Sequence, residues 1–82
     1  MKTLPTVGET FTERVIEVTE NGTIIAVPGF TQKKAIAVLK PGPGMPKYRA
    51  GKDSARVEVV GMWTLKSGLT VLDVKPGAKK ET

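Results

Sequence analysis

The chain contains five short stretches in which apolar residues recur at every second position, and turn residues separate these stretches. In residues 54–62, Val57 and Val59 alternate with Arg56 and Glu58. A period of two is typical of strands with one buried face. The other stretches are the segment before Asn21 and residues 23–27, 33–40 and 69–74. Because no segment has convincing helical periodicity, the sequence predicts an all-β fold with little or no helix.

Two turns are predicted between the first three strands. Asn21-Gly22 lies between two apolar runs, and both residue types tolerate the positive φ angles of a two-residue type I′ hairpin. Pro28-Gly29 suits a type II turn, in which proline fixes φ and glycine accepts a positive value. The sequence therefore predicts a three-stranded meander over residues 7–40.

The first strand contains a break in its alternation. Val15 and Val18 are three positions apart, so strict alternation would place them on opposite faces of the sheet. The spacing would also suit a helix, but the many β-branched residues of this segment favour a strand. A β-bulge near Ile16 or Glu17 would return both valines to the core.

The connection between the third and fourth strands is long, and it extends to about Gly51. Residues 41–46 contain three prolines and two glycines, which exclude regular secondary structure. Five strands with a long third connection predict a small OB-like barrel, with an SH3-like barrel as the architectural alternative. We expect a leader over residues 1–6, one β-barrel domain over residues 7–74 and a disordered basic tail over residues 75–82.

The spacing of glycines and apolar strands resembles that of two RNA-binding families. The residues that carry this resemblance are Gly8, Phe11, Val15, Ile16, Val18, Gly22, Ile25-Ala26-Val27, Gly29-Phe30, Gly51, Val57, Val59, Leu69, Val71 and Val74. They are similar to TRAM domains and to the related OB domains named after ribosomal protein S-one. The resemblance implies RNA or single-stranded nucleic acid binding on the face of the second and third strands. The aromatic residues of the S-one type are replaced here by Ile24, Ile25 and Ala37.

Positive charge is concentrated in the middle third of the chain. The formal net charge is +5, from 13 basic and 8 acidic residues. Residues 21–52 contain six basic residues and no acidic one, whereas the first strand contains four glutamates and one arginine. A charge distribution of this kind favours a polyanionic partner. The alternative is that the charges only keep a small domain soluble.

Several classes of function are excluded by composition. The chain has no cysteine and no histidine, which excludes disulfides, thiolate or imidazole metal sites and histidine-based catalysis. The glutamates of the first strand lie along one strand and do not form a converging pair. We therefore expect no enzyme activity, no metal site and no cofactor. Since no apolar run approaches the roughly 20 residues that span a bilayer, we expect a cytoplasmic protein without a membrane partner.

The candidate binding residues combine positive charge with aromatic rings. They are Phe30, Lys33, Lys34, Lys47, Tyr48, Arg49 and Lys52. Proteins that bind single strands combine a basic groove, which follows the phosphates, with aromatic side chains on which bases stack. The expected partner is therefore RNA or single-stranded DNA.

Each candidate aromatic residue also has a structural alternative. Phe30 would plug one end of the barrel, Tyr48 would pack on its loop, and Trp63, a third possible platform, would pack in the core or hairpin. The functional alternative for the whole chain is a protein-protein interaction or assembly module with no nucleic-acid role.

Overall fold

The computed structural model describes residues 3–42 and 47–77, which contain five β-strands. The strands are β1 (Thr10–Thr19), β2 (Gly22–Ala26), β3 (Ala35–Leu39), β4 (Ser54–Thr64) and β5 (Thr70–Pro76). No helix occurs in these two ranges, so the predicted all-β fold is confirmed. It follows that the described ranges also contain no helix with the length and hydropathy needed to cross a membrane.

The five strands close into a barrel in the order β1-β2-β3-β5-β4. β3 and β5 pair in parallel, and the other neighbouring strands pair in antiparallel fashion. A simple meander would produce only antiparallel neighbours. The parallel pair arises because the chain leaves β3 through the long connection and returns beside it only after β4. The predicted small five-stranded barrel, of the OB-like or SH3-like kind, is therefore present.

The predicted alternation of strand residues produces the interior of the barrel. The buried apolar residues that form the core are Val15, Ile25, Val27, Ala35, Ala37, Leu39, Ala55, Val57, Val59, Leu72 and Val74. Alanines at three of these positions leave room for the larger isoleucine and leucine side chains, as a barrel of five strands requires. Two threonines, Thr23 and Thr70, are also buried, and the Thr70 hydroxyl lies 3.1 Å from that of Thr64.

The predicted bulge in β1 is confirmed, but its effect on Val18 is not as expected. The register of β1 against β2 shifts between Val15 and Glu17. Val18 then lies opposite the buried Thr23 and faces the interior. Because this position is at the end of the barrel, Val18 is 49% exposed. The prediction that the bulge returns Val18 to the core is therefore wrong.

The Pro28-Gly29 turn forms as the sequence predicts. The backbone N–H of Phe30 donates a hydrogen bond of 3.1 Å to the carbonyl of Val27. Gly29 has a φ of +81°, the positive value that the third residue of a type II turn requires.

The first hairpin is also present, but its turn is shifted by one residue. Thr19 pairs with Gly22, so Glu20 and Asn21 form the two-residue loop. No described residue other than glycine has a positive φ, which contradicts the predicted type I′ geometry. Instead, the Thr19 hydroxyl donates to the Gly22 carbonyl at 2.8 Å and accepts from the Asn21 N–H at 3.2 Å. A Cβ atom on Gly22 would lie 2.9 Å from the Leu39 carbonyl oxygen, so this position requires glycine.

The last strand continues beyond its predicted end. β5 ends at Pro76 instead of at position 74, and the Gly77 N–H donates to the Arg56 carbonyl at 2.8 Å. Positions 75 and 76 of the predicted tail therefore belong to the sheet, and residues 78–82 lie outside the described residues. Before the barrel, Leu4 of the predicted leader packs against the core.

Candidate nucleic-acid interface

Three of the predicted binding residues lie at one end of the barrel, which we call the hairpin end. They belong to residues 27–34, which connect β2 to β3. The side chains of Lys33 and Lys34 are exposed, whereas Phe30 is half-buried and packs against the core. Both lysines are therefore accessible to a ligand, while Phe30 offers only part of its ring.

The β4–β5 hairpin adjoins this loop and adds a further lysine. The Thr70 N–H donates to the Lys34 carbonyl at 3.0 Å, so the start of β5 lies directly beside the loop. Lys66, in the hairpin turn, is exposed. Neither residues 27–34 nor residues 61–69 contain a carboxylate. The hairpin end thus carries three lysines on two adjacent segments that have no acid of their own.

Trp63 is exposed at the hairpin end because of a second bulge. Simple alternation from Val59 would place position 63 inside the barrel. The register of β4 against β5 shifts between Val59 and Gly61, which inverts the alternation. Trp63 therefore lies opposite Val71 on the outer face and is 48% exposed. The sequence signal for this inversion is Gly61, because an isolated glycine inside a strand pattern often marks a bulge.

The remaining predicted residues lie at the opposite end of the barrel, which we call the cleft end. A cleft of about 410 Å³ opens there, where β1 ends and β2 begins. It is lined by Val18, Thr19, Gly22, Thr23, Pro41, Gly42, Lys47 and Tyr48. Tyr48 is half-buried and packs against the core, so it offers one side of its ring to the cleft.

A short loop next to the cleft is fixed to β1 by hydrogen bonds. The Asp53 carboxylate accepts a bond of 2.7 Å from the Arg49 backbone N–H and one of 3.4 Å from its guanidinium group. The Gly51 N–H donates to the Val15 carbonyl, and the Val15 N–H donates to the Asp53 carbonyl, both at 2.8 Å. Arg49 thus has a carboxylate beside it, which reduces its value as a phosphate contact, whereas Lys47 and Lys52 are exposed.

The same contacts predict an acidic titration for Asp53. The backbone N–H and then the guanidinium of Arg49 hold the pKa of Asp53 below its ordinary value of 3.8. The hydrogen bonds that the Asp53 carboxylate accepts are therefore fully formed above pH 3.8, and they are lost as the pH falls through the lowered pKa. We expect Arg49→Ala to leave the pKa of Asp53 below 3.8, because the backbone donor, the largest cause, remains.

Carbon-13 NMR of the Asp53 carboxyl group measures this titration directly. The urea-unfolded protein provides the reference, since the loop contacts are absent from it. Full recovery of the reference pKa in the folded Arg49→Ala variant would show that the side chain, and not the backbone, holds the carboxylate.

The predicted residues therefore form two groups and not one. Phe30, Lys33 and Lys34 lie at the hairpin end, whereas residues 47–52 lie at the cleft end. The five residues of β2 separate the two ends, a length of roughly 16 Å at about 3.3 Å per residue. Both ends border the same outer face, because β2 and β3 connect them.

The outer face between the two groups is mainly apolar. Its half-buried residues on β2 and β3 are Ile24, Ala26, Ile36 and Val38. Ile24 and Val38 form the row nearer the cleft end. Acidic residues border this row on both sides, because Glu17 pairs with Ile24 and Asp73 pairs with Val38. The row nearer the hairpin end, Ala26 and Ile36, continues through the buried Val71 to the exposed Trp63 and has no acid. The hairpin half of this face is thus the better surface for a polyanion.

Comparison with protein-family models, with curated proteins and with solved structures gave no match for this chain. The function is therefore inferred from the chain's own residues and from the geometry of its barrel. The TRAM and S-one resemblance stays a prediction.

Proposed function

We propose that this protein binds single-stranded nucleic acid, either RNA or single-stranded DNA, on the outer face of β2, β3 and β5. OB-like barrels present this face and its flanking loops to oligonucleotides. The proposal also agrees with the net charge of +5, because release of counterions from phosphates drives such binding.

The observation that carries the proposal is the composition of the hairpin end. Trp63 presents an exposed indole ring, and every base has a π-face that can stack on it. Lys33, Lys34 and Lys66 lie on the two loops that meet at this end, with no carboxylate in either segment. The tryptophan and the three lysines therefore provide both contributions to single-strand binding, which are base stacking and phosphate neutralisation.

A bound strand would continue from the hairpin end towards the cleft end. It would cross the aliphatic row that Ala26 and Ile36 form, and reach Lys47 and Tyr48 at the cleft. The roughly 16 Å between the two ends accommodates a short oligonucleotide. OB barrels cover about 4 nucleotides or more. Glu17 and Asp73 flank the second row of this face, nearer the cleft, on its two sides, and they would keep the phosphates in the strip between them.

The first test is the salt dependence of binding. We expect fluorescence anisotropy of labelled RNA and DNA oligomers to show binding that weakens by roughly a hundredfold between about 50 and 200 mM salt, if about five phosphates are neutralised. A duplex of the same sequence is the control ligand, because its bases cannot stack on Trp63. Absence of binding by folded protein at low salt would exclude the proposed function.

The second candidate function is a protein-interaction module. It is favoured by the exposed apolar side chains near the end of β4, which include Val60, Met62 and Leu65. Large apolar surface groups close together are typical of protein contacts. Failure of the oligonucleotide titration would leave this candidate, which a search for a protein partner would then address.

A further inference from the structure

The second half of β4 has one strand edge without a partner among the described residues. β1 pairs with the first half of β4 as far as Glu58, and the last contact is the Gly8 N–H bond of 2.8 Å to the Val59 carbonyl. Residues 61–64 continue past the bulge at Val60 and pair only with β5. No backbone hydrogen bond from residues 3–42 or 47–77 reaches their other edge.

The backbone groups at this open edge can be identified from the hairpin. The Leu65 N–H donates to the Leu69 carbonyl at 2.8 Å, so Leu65 directs its backbone towards β5. Alternation along the strand directs the backbone of Trp63 the same way. Met62 and Thr64 therefore direct their N–H and carbonyl groups towards the open edge.

The open edge lacks the usual protection against pairing. Natural edge strands are blocked by charged residues or proline, or are twisted away by bulges. Residues 59–65 contain no charged residue and no proline, although a bulge precedes the open part. The side chains of Val60, Met62, Trp63 and Leu65 are all exposed. Although the chain has a net charge of +5, two copies can approach each other at this segment without bringing like charges together.

We propose that the chain forms a two-fold symmetric homodimer through antiparallel pairing of this edge with the same edge of a second copy. With the axis at Trp63, Met62 of each copy lies opposite Thr64 of the other. Both residues direct their backbone groups outwards, so these two pairs form four hydrogen bonds. The two Trp63 rings become direct cross-strand neighbours, and Lys66 lies opposite Val60 and not opposite another lysine. The edge is thus self-complementary in hydrogen bonds, in apolar surface and in charge.

The test is sedimentation equilibrium of the whole chain without nucleic acid, from micromolar to millimolar concentration. We expect a mass that rises from 8.8 kDa towards twice that value. Thr64→Pro removes one edge N–H without touching the bonds to β5, so it should give a monomer. Thr64→Val keeps that N–H and is the matched control, because both variants lose the hydroxyl contact with Thr70.

A second pair of variants tests the side chains of the interface. Trp63→Lys places like charges opposite each other and should raise the dimer dissociation constant by more than about tenfold. Val18→Lys adds the same charge at an equally exposed valine of the cleft end and should leave the dimer intact. Circular dichroism confirms that each variant is folded.

Several results would overturn the dimer proposal. A wild-type chain that stays at 8.8 kDa over the whole range would do so, and would leave the edge to another partner. Dimers that persist in Thr64→Pro would exclude strand pairing as the contact. Since each copy is positively charged, dimerisation should strengthen with salt, whereas nucleic-acid binding should weaken. The two proposals can therefore fail separately.

Discussion

Replacing Lys33, Lys34 and Lys66 together with alanine is expected to lower affinity for single-stranded oligonucleotides by about a hundredfold at low salt, and to reduce the slope of log K against log salt by about 2. Each lysine that neutralises a phosphate contributes about 0.7 to that slope for single strands. The hairpin end would lose all three of its cations while keeping Trp63. Anisotropy titrations at several salt concentrations measure both quantities.

The control is a triple variant with the same loss of charge elsewhere. Arg14, Arg56 and Lys75 are exposed on β1, β4 and β5, outside the two loops that form the hairpin end. Their replacement by alanine also removes three positive charges, but we expect a much smaller loss of affinity. Equal losses in the two triple variants would mean that affinity follows net charge alone, and that the hairpin end is not a site.

The largest expected effect on stability comes from Leu72→Ala. Leu72 is 0% exposed and is among the largest fully buried side chains of the barrel. Removing a buried leucine side chain to alanine costs about 2 to 5 kcal/mol, since it combines lost burial with a cavity. A domain of this length has a free energy of unfolding of only about 4 to 12 kcal/mol. The variant is therefore expected to lose a large fraction of its stability.

Urea denaturation followed by Trp63 fluorescence and by circular dichroism measures this loss. Leu65→Ala provides the matched control, because the same side chain is removed at a position that is 44% exposed. We expect a change of less than about 1 kcal/mol there. Similar costs at the two positions would contradict the assignment of Leu72 to the centre of a packed core.

The parts of the fold that depend on local pattern were predictable from the sequence. Alternation in residues 54–59 gave the correct inner and outer residues of β4. The Pro28-Gly29 turn follows from backbone preferences of two residues alone. The bulge in β1 could be placed because Val15 and Val18 are out of phase, although burial at the barrel end depends on neighbours that the pattern does not contain.

The features that were missed depend on interactions between distant or non-periodic residues. The shift of the first hairpin turn follows from the Thr19 hydroxyl and from the close approach of Gly22 to Leu39, which is far along the chain. The second bulge interrupts a run of residues that is apolar on both faces of the strand, so Gly61 is its sequence signal. This bulge is what moves Trp63 from the interior to the surface.

The candidate site was predictable in composition but not in arrangement. All seven candidate residues lie in the basic, acid-free range of residues 21–52. Their division into two groups follows from β3, which carries the chain from the hairpin end to the cleft end between Lys34 and Lys47. Lys66 joins the first group only through the hydrogen bond between Thr70 and Lys34, which sequence spacing could not reveal.

The two long-range strand pairs, β3–β5 and β1–β4, also set the order in which this protein can fold. Ala35 pairs with Thr70 and Thr10 pairs with Glu58, so these pairs close loops of 35 and 48 positions, whereas the β1–β2 and β4–β5 hairpins are local. Local hairpins form in microseconds, while contacts of high sequence separation are slow because the loop entropy is lost first. Barrel closure should therefore be the last and rate-limiting step. Until β5 docks, β3 remains an apolar edge, and the chain is most prone to aggregation during that interval.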